Sequence, residues 1–149
     1  MNEDAKKRAL AILEQRDVSR QMLIDKLTEK MIPPEDAEEV ADWLCSLGVI
    51  DDERFAALVV RHYAAKGYGE RRIREELYRR GIDRTLWDGA LTELPDTDDT
   101  ASRLWAQKMR GTDGGDAAVQ RAQNFLLRRG YSWEEIRAAH ETYQRETEE

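Results

Sequence analysis

The chain has 149 residues, 37% of them charged and 40% hydrophobic, with a formal net charge of −7 at pH 7. That acidity argues against a protein that coats DNA, which needs many cations to displace counterions from phosphate. No apolar run approaches the roughly 20 residues of a membrane span. The stretch Met1 to Lys7 lacks the apolar core of a signal peptide. The one cysteine, Cys45, lies among Trp43, Leu44 and Leu47, which points to a buried thiol and a reducing cytoplasm.

Apolar spacing predicts a first helix over 5–16, with Ala9, Ile12 and Leu13 on one face and Leu10 beside it. Ser19 is placed to cap a second helix that runs to about Lys30 and turns Leu23 and Leu27 inward. Pro33-Pro34 stops that helix, and Pro34 suits the first turn of a third. Ala37, Val40, Ala41, Leu44 and Leu47 form the stripe of the third helix, which Gly48 ends.

The pattern then restarts. Asp51-Asp52-Glu53 sets acids at a helix N-terminus, followed by Phe55, Leu58, Val59, His62 and Tyr63 at helical spacing. Lys66-Gly67 closes this helix. A helix over 69–80 has Ile73 and Leu77 as its inward pair, and Gly81 stops it. Asp83 caps a further helix with Trp87, Ala90, Leu91 and Leu94, which Pro95 ends.

A third round follows an acidic link, 96–99. Its helices are expected over 99–109, over 117–129, and from a Ser132-x-x-Glu135 capping box onward. Gly111 to Gly115 reads as a flexible loop. The tail from about Arg145 is expected to fray. Leu27, Leu77 and Leu126 are spaced by 50 and 49 residues, and so are Met31, Gly81 and Gly130, and Ala37, Trp87 and Ile136. These offsets imply an all-α protein of three tandem three-helix, helix-turn-helix-like repeats, 1–48, 49–95 and 96–149. Repeats of this kind are expected to stack into an elongated, curved body.

Residues 61–84 hold eight Lys or Arg and four acids, a local excess of positive charge in an acidic chain. On the 69–80 helix, Glu70–Arg74, Glu75–Arg79 and Glu76–Arg80 are spaced for i,i+4 pairs, each contributing roughly 0.2–0.5 kcal/mol. Arg71 and Arg72 have no acid four residues before them and are the stronger candidates for a partner. A shift of 49 maps Arg72 onto Arg121 and Arg79 onto Arg128, where no acid lies between Asp116 and Glu134. Arg71, Arg72, Arg79, Arg121 and Arg128 are therefore candidate contacts for an acidic surface or for DNA phosphate. The same pattern also describes a solvated helix face. Tyr68 and Tyr78 are exposed by pattern and could stack on a partner. Tyr63, Trp87, Trp105 and Trp133 read as packing groups.

Nothing in the sequence points to catalysis or to a cofactor. His62 and His140 fall on apolar stripes without metal-ligand spacing, and Cys45 lacks a basic neighbour. There is no phosphate loop, CxxC or Gly-x-Ser-x-Gly.

Val49-Ile50-Asp51-Asp52 with Phe55-Ala56, then Gly67, Ile73, Leu77 and Arg80-Gly81-Ile82, resembles the RecX family of recombinase regulators. The triple repeat is similar to that family's architecture over nearly the whole chain. Met31 and Pro33-Pro34 in the first repeat and the 111–115 loop in the third depart from the pattern. The resemblance implies a non-enzymatic protein that docks on the RecA recombinase filament and inhibits recombinase, ATPase and coprotease activity. It also implies no cofactor and no membrane. A cytoplasmic monomer is expected. A helix-turn-helix DNA-binding regulator, with 69–80 and 84–94 as its helix pair, is an alternative, as is a generic helical-repeat adaptor. The reading helix of that alternative carries Asp88 and Glu93 and no internal Arg or Lys.

Overall fold

The computed structural model describes residues 1–148. Among them are nine α-helices, one 3-10 turn and no strand. No helix among these residues is long and apolar enough to cross a membrane.

The first repeat holds α1 (Glu3–Gln15), α2 (Arg20–Glu29) and α3 (Pro34–Ser46). Each start has a local cause. The Asn2 side chain accepts from the Ala5 amide, the buried Ser19 hydroxyl accepts from Met22, and Pro34 opens α3 ahead of Glu35 and Asp36. The second repeat holds α4 (Asp52–Ala65), α5 (Glu70–Arg79), a 3-10 turn (Arg84–Leu86) and α6 (Trp87–Leu91). The third holds α7 (Thr97–Met109), α8 (Asp116–Arg128) and α9 (Trp133–Glu148). The expected capping box forms in both directions: Ser132 N donates to Glu135 Oε1 at 2.9 Å, and Glu135 N donates to Ser132 Oγ at 3.1 Å.

The repeat is visible in hydrogen bonds as well as in spacing. α2, α5 and α8 end in the same turn. Ile32, Ile82 and Tyr131 each donate an amide to Leu27, Leu77 and Leu126, all at 3.1 Å. Met31, Gly81 and Gly130 donate to Thr28, Tyr78 and Leu127 and have φ of 70°, 69° and 97°. This left-handed closure satisfies carbonyls that the helix leaves open.

Packing divides the chain into two compact units, Met1–Leu58 with Glu76–Ala90, and Val59–Glu75 with Leu91–Glu149. The first unit contains a core of Ala5, Ala9, Leu23, Leu27, Val40, Ala41 and Leu44. Leu77, Trp87 and Ala90 are also buried there, and the Trp87 indole donates to the Ile82 carbonyl at 3.0 Å. The second unit is built on Trp105, Leu126, Tyr131 and Ile136, with Ala101, Ala122 and Ala139 allowing close helix approach.

Several expectations are corrected. The helix expected through Leu94 is a 3-10 turn and five α-helical residues, because Gly89 lies in the middle of it and Pro95 disfavours helix at Leu94. The acidic link at 96–99 is instead the cap and first turn of α7, where Asp98 and Asp99 offset the helix dipole. α9 continues past Arg145 to Glu148, with Thr147 Oγ1 donating to the Tyr143 carbonyl. Leu47 is 57% exposed because it is the C-cap of α3, beyond the buried stripe. Leu58 and His62 are exposed, and Cys45 is half-buried. His140, by contrast, is half-buried as its apolar stripe suggests, and stacks on Trp105. Trp133 is 54% exposed at the start of α9.

Candidate partner-binding surface

The arginines named from the sequence lie on α5 and α8, and the structure sorts them by what they touch. In the second unit, the N-terminal turn of α5 meets the C-terminal turn of α8. Gly69 N donates to the Arg129 carbonyl at 2.7 Å, and Arg71 N donates to the Gly130 carbonyl at 3.2 Å. The open amides of one helix thus satisfy the open carbonyls of another. The Arg71 guanidinium donates to the Leu127 carbonyl. Arg129 Nη1 donates to the Lys66 carbonyl at 2.8 Å, and Tyr131 Oη donates to the Gly67 carbonyl at 2.9 Å. Burial pushes the Tyr131 hydroxyl up to about 12.

Tyr68 is half-buried at this joint, not exposed as its pattern suggests. The Arg72 and Arg129 guanidinium groups lie 4.8 and 4.6 Å from its ring centre. Arg129 also lies 5.0 Å from the Phe125 ring, and Lys108 Nζ lies 4.1 Å from the same ring. Cations and aromatic faces therefore alternate from α7 across α8 to α5, in contacts worth about 0.5–2 kcal/mol each. Arg129, which the 49-residue shift pairs with Arg80, and Lys108 are not among the candidate contacts named from the sequence. The available signal for Arg129 was its register with Arg80, directly before a glycine that closes a helix.

Pairing also departs from the i,i+4 reading. Arg71 does have an acid partner, Glu75, at 3.9 Å, four residues ahead rather than behind. Arg74 meets Glu70 at 3.3 Å as expected. In the first unit, Arg79 and Arg80 both converge on Glu76, with Arg79 Nη1 at 3.1 Å. Glu76 is only 3% exposed, so two guanidinium groups hold its charge under the surface. Arg79 itself is exposed, and Tyr78 is 73% exposed.

Arg121 and Arg128 stand apart from all of these. Both are exposed on α8, and among the described residues neither forms an ion pair. Asn124 lies between them in sequence, is also exposed, and accepts from Gln120 at 3.1 Å. Of the named residues, the structure brings Tyr68 and Arg72 into contact and seats Arg71 on the end of α8. Arg121 and Arg128 share the outer face of α8, and Tyr78 and Arg79 belong to the first unit. Cys45 carries no comparable chemistry, since burial and Asp52 push its thiol upward. Among the described residues no three His, Cys, Asp or Glu side chains are grouped to hold a metal ion.

Family models for the first, second and third three-helix domains of RecX match residues 5–44, 51–91 and 96–139. The chain belongs to the RecX family. RecX relatives named regulatory protein include one from Cronobacter sakazakii, 35% identical over 92% of this chain and 90% of its own length. One from Xanthomonas axonopodis pv. citri is 38% identical over 89% and 83%, and one from Pseudomonas fluorescens is 36% identical over 86% and 84%. The RecX fold is matched by the crystal structure of RecX from Lactobacillus salivarius, with a TM-score of 0.84 at 22% identity over 94% of each chain. A second crystal structure, of a regulatory protein RecX, gives 0.83 at 25% identity over 93% of this chain and 72% of that one.

Proposed function

We propose that this chain is a regulator that binds the filament of the RecA recombinase on DNA and inhibits its recombinase, ATPase and coprotease activities. It does so by binding alone, as a cytoplasmic monomer built from the units 1–48, 49–95 and 96–149, and it catalyses no reaction. The observation that carries this reading is the match of all three RecX domains along one chain whose relatives are named regulatory proteins. The arginines left at the surface supply the chemistry of contact. Arg121 and Arg128 on α8, and Arg79 beside Tyr78 on α5, are exposed cations that fit an acidic protein surface or the phosphates the filament holds. Arg71 and Arg72 act mainly by setting α5 against α8.

The helix-turn-helix alternative loses support on geometry. Its reading helix is five residues long and carries Asp88, too short and wrongly charged to lie along a major groove. Co-sedimentation separates the readings. The chain should pellet with recombinase assembled on single-stranded DNA and stay in the supernatant with the same DNA alone. Equal pelleting with bare DNA contradicts the proposal.

A further inference from the structure

The fold accounts for only part of the stretch Val49 to Ala56. Ile50 and Ala56 are buried, at 3% and 0% exposure, and Asp52 Oδ1 accepts from the Arg20 amide at 2.9 Å. Asp51 caps α4 by accepting from the Arg54 amide at 3.1 Å. The Val49 side chain has no such role and is 45% exposed.

Val49 lines a shallow cleft of the first unit, together with Leu13 on α1 and Phe55 and Leu58 on α4. Leu58 is 37% exposed, and Leu10, one turn before Leu13, is 43% exposed. Aliphatic side chains gathered at the surface inside a polar rim mark a place that another protein covers.

The charge around the cleft selects the partner. Asp17 and Asp51 line it with one cation, Arg54. Both aspartates are exposed, and among the described residues neither forms an ion pair. Residues 31–53, which run into the cleft, hold eight acids and no Lys or Arg, against a net −7 for the whole chain. Arg20 meets Asp42 at 2.8 Å and the N-terminal amine meets Glu39 at 3.7 Å, both on α3. The acids at the start of α4 have no such cation among the described residues. This rim repels phosphate and attracts Lys or Arg.

We propose that the cleft is a docking site for a basic segment of the recombinase protein. One large apolar side chain of that segment seats among Leu13, Val49, Phe55 and Leu58, and its flanking Lys or Arg side chains meet Asp17 and Asp51. This rests on the function proposed above and adds a surface of opposite sign to the exposed arginines: the arginines suit phosphate or an acidic surface, and the cleft selects protein over DNA.

Co-sedimentation with recombinase assembled on single-stranded DNA tests this. Wild type is compared with V49A/L58A, D17N/D51N and E35Q/E38Q, with far-UV circular dichroism as a check on folding. Alanine only shortens exposed side chains, and asparagine keeps the cap at position 51, so helicity holds. V49A/L58A should raise the concentration for half-maximal pelleting about tenfold. D17N/D51N should raise it about fivefold at low salt, and by less at high salt, where exposed charges are screened. E35Q/E38Q removes the same two charges from exposed positions on α3 outside the cleft lining and should pellet as the wild type does. Unchanged pelleting of either cleft pair overturns the proposal, and is the result expected if a second copy of this chain fills the cleft. Tighter pelleting of D17N/D51N overturns it in favour of phosphate, and equal weakening by E35Q/E38Q overturns it in favour of net charge. A wild type that does not pellet removes the function proposed above and the cleft's role with it, whereas a wild type that pellets beside unchanged cleft variants removes the cleft alone.

Discussion

Replacing Gly130 by Ala tests the α5–α8 joint in isolation. The substitution places a Cβ on a residue with φ of 97°, which by itself costs about 1 kcal/mol. It also places that Cβ 2.6 Å from the Arg72 backbone nitrogen, where no flexible side-chain end can swing aside. The turn must then withdraw from α5 and weaken the bonds from Gly69 N to Arg129 O and from Arg71 N to Gly130 O. At about 1 kcal/mol net for each bond, the expected total is about 3 kcal/mol. Gly111 provides the control within the same compact unit. Its φ is 77°, but a Cβ there meets nothing within 4 Å, so G111A should cost only about 1 kcal/mol. Urea titration followed by circular dichroism reads the two midpoints. Equal losses in G130A and G111A refute the claim that glycine is needed at 130 for the joint and not merely for the turn.

Reversing charge at two exposed positions, R121E with R128E, should leave helicity unchanged and stability within about 0.5 kcal/mol, while weakening filament binding about tenfold or more; full inhibition by this variant would remove the outer face of α8 from the contact surface. Tyr131 predicts an alkaline limit to stability. Its folded value of about 12 lies above the ordinary 10, so the unfolded chain loses that proton first. The contribution is complete below pH 10 and declines as pH rises from 10 towards 12, whereas Y131F should show a flatter decline over that window in urea midpoints.

Helix identity and the repeat were legible in the sequence because they rest on local chemistry. Caps at Ser19 and Ser132, the proline at the start of α3 and the glycines after α5 and α8 act within a turn of their own position. The helix expected through Leu94, α6, was lost to a local signal that was present, Gly89. The roles of the arginines were harder to read. A search for acids four residues behind cannot see Glu75 ahead of Arg71 or the choice of Arg79 for Glu76 at i,i+3. It also cannot see carbonyl acceptors 56 and 63 residues away, such as Leu127 for Arg71 and Lys66 for Arg129. Those partners exist only once α8 has met the turn between α4 and α5. What remained readable was the absence of acids around Arg121 and Arg128, and these are the arginines that stand exposed without an ion pair among the described residues.

Regulation of a recombinase is read out by the DNA-dependent ATPase of the recombinase filament. Added at a small fraction of the recombinase concentration, the chain should suppress ATP hydrolysis once the filament has formed, and R121E/R128E should suppress it less at the same concentration. Unchanged hydrolysis with the wild-type chain present, under conditions where filaments assemble, would contradict the account.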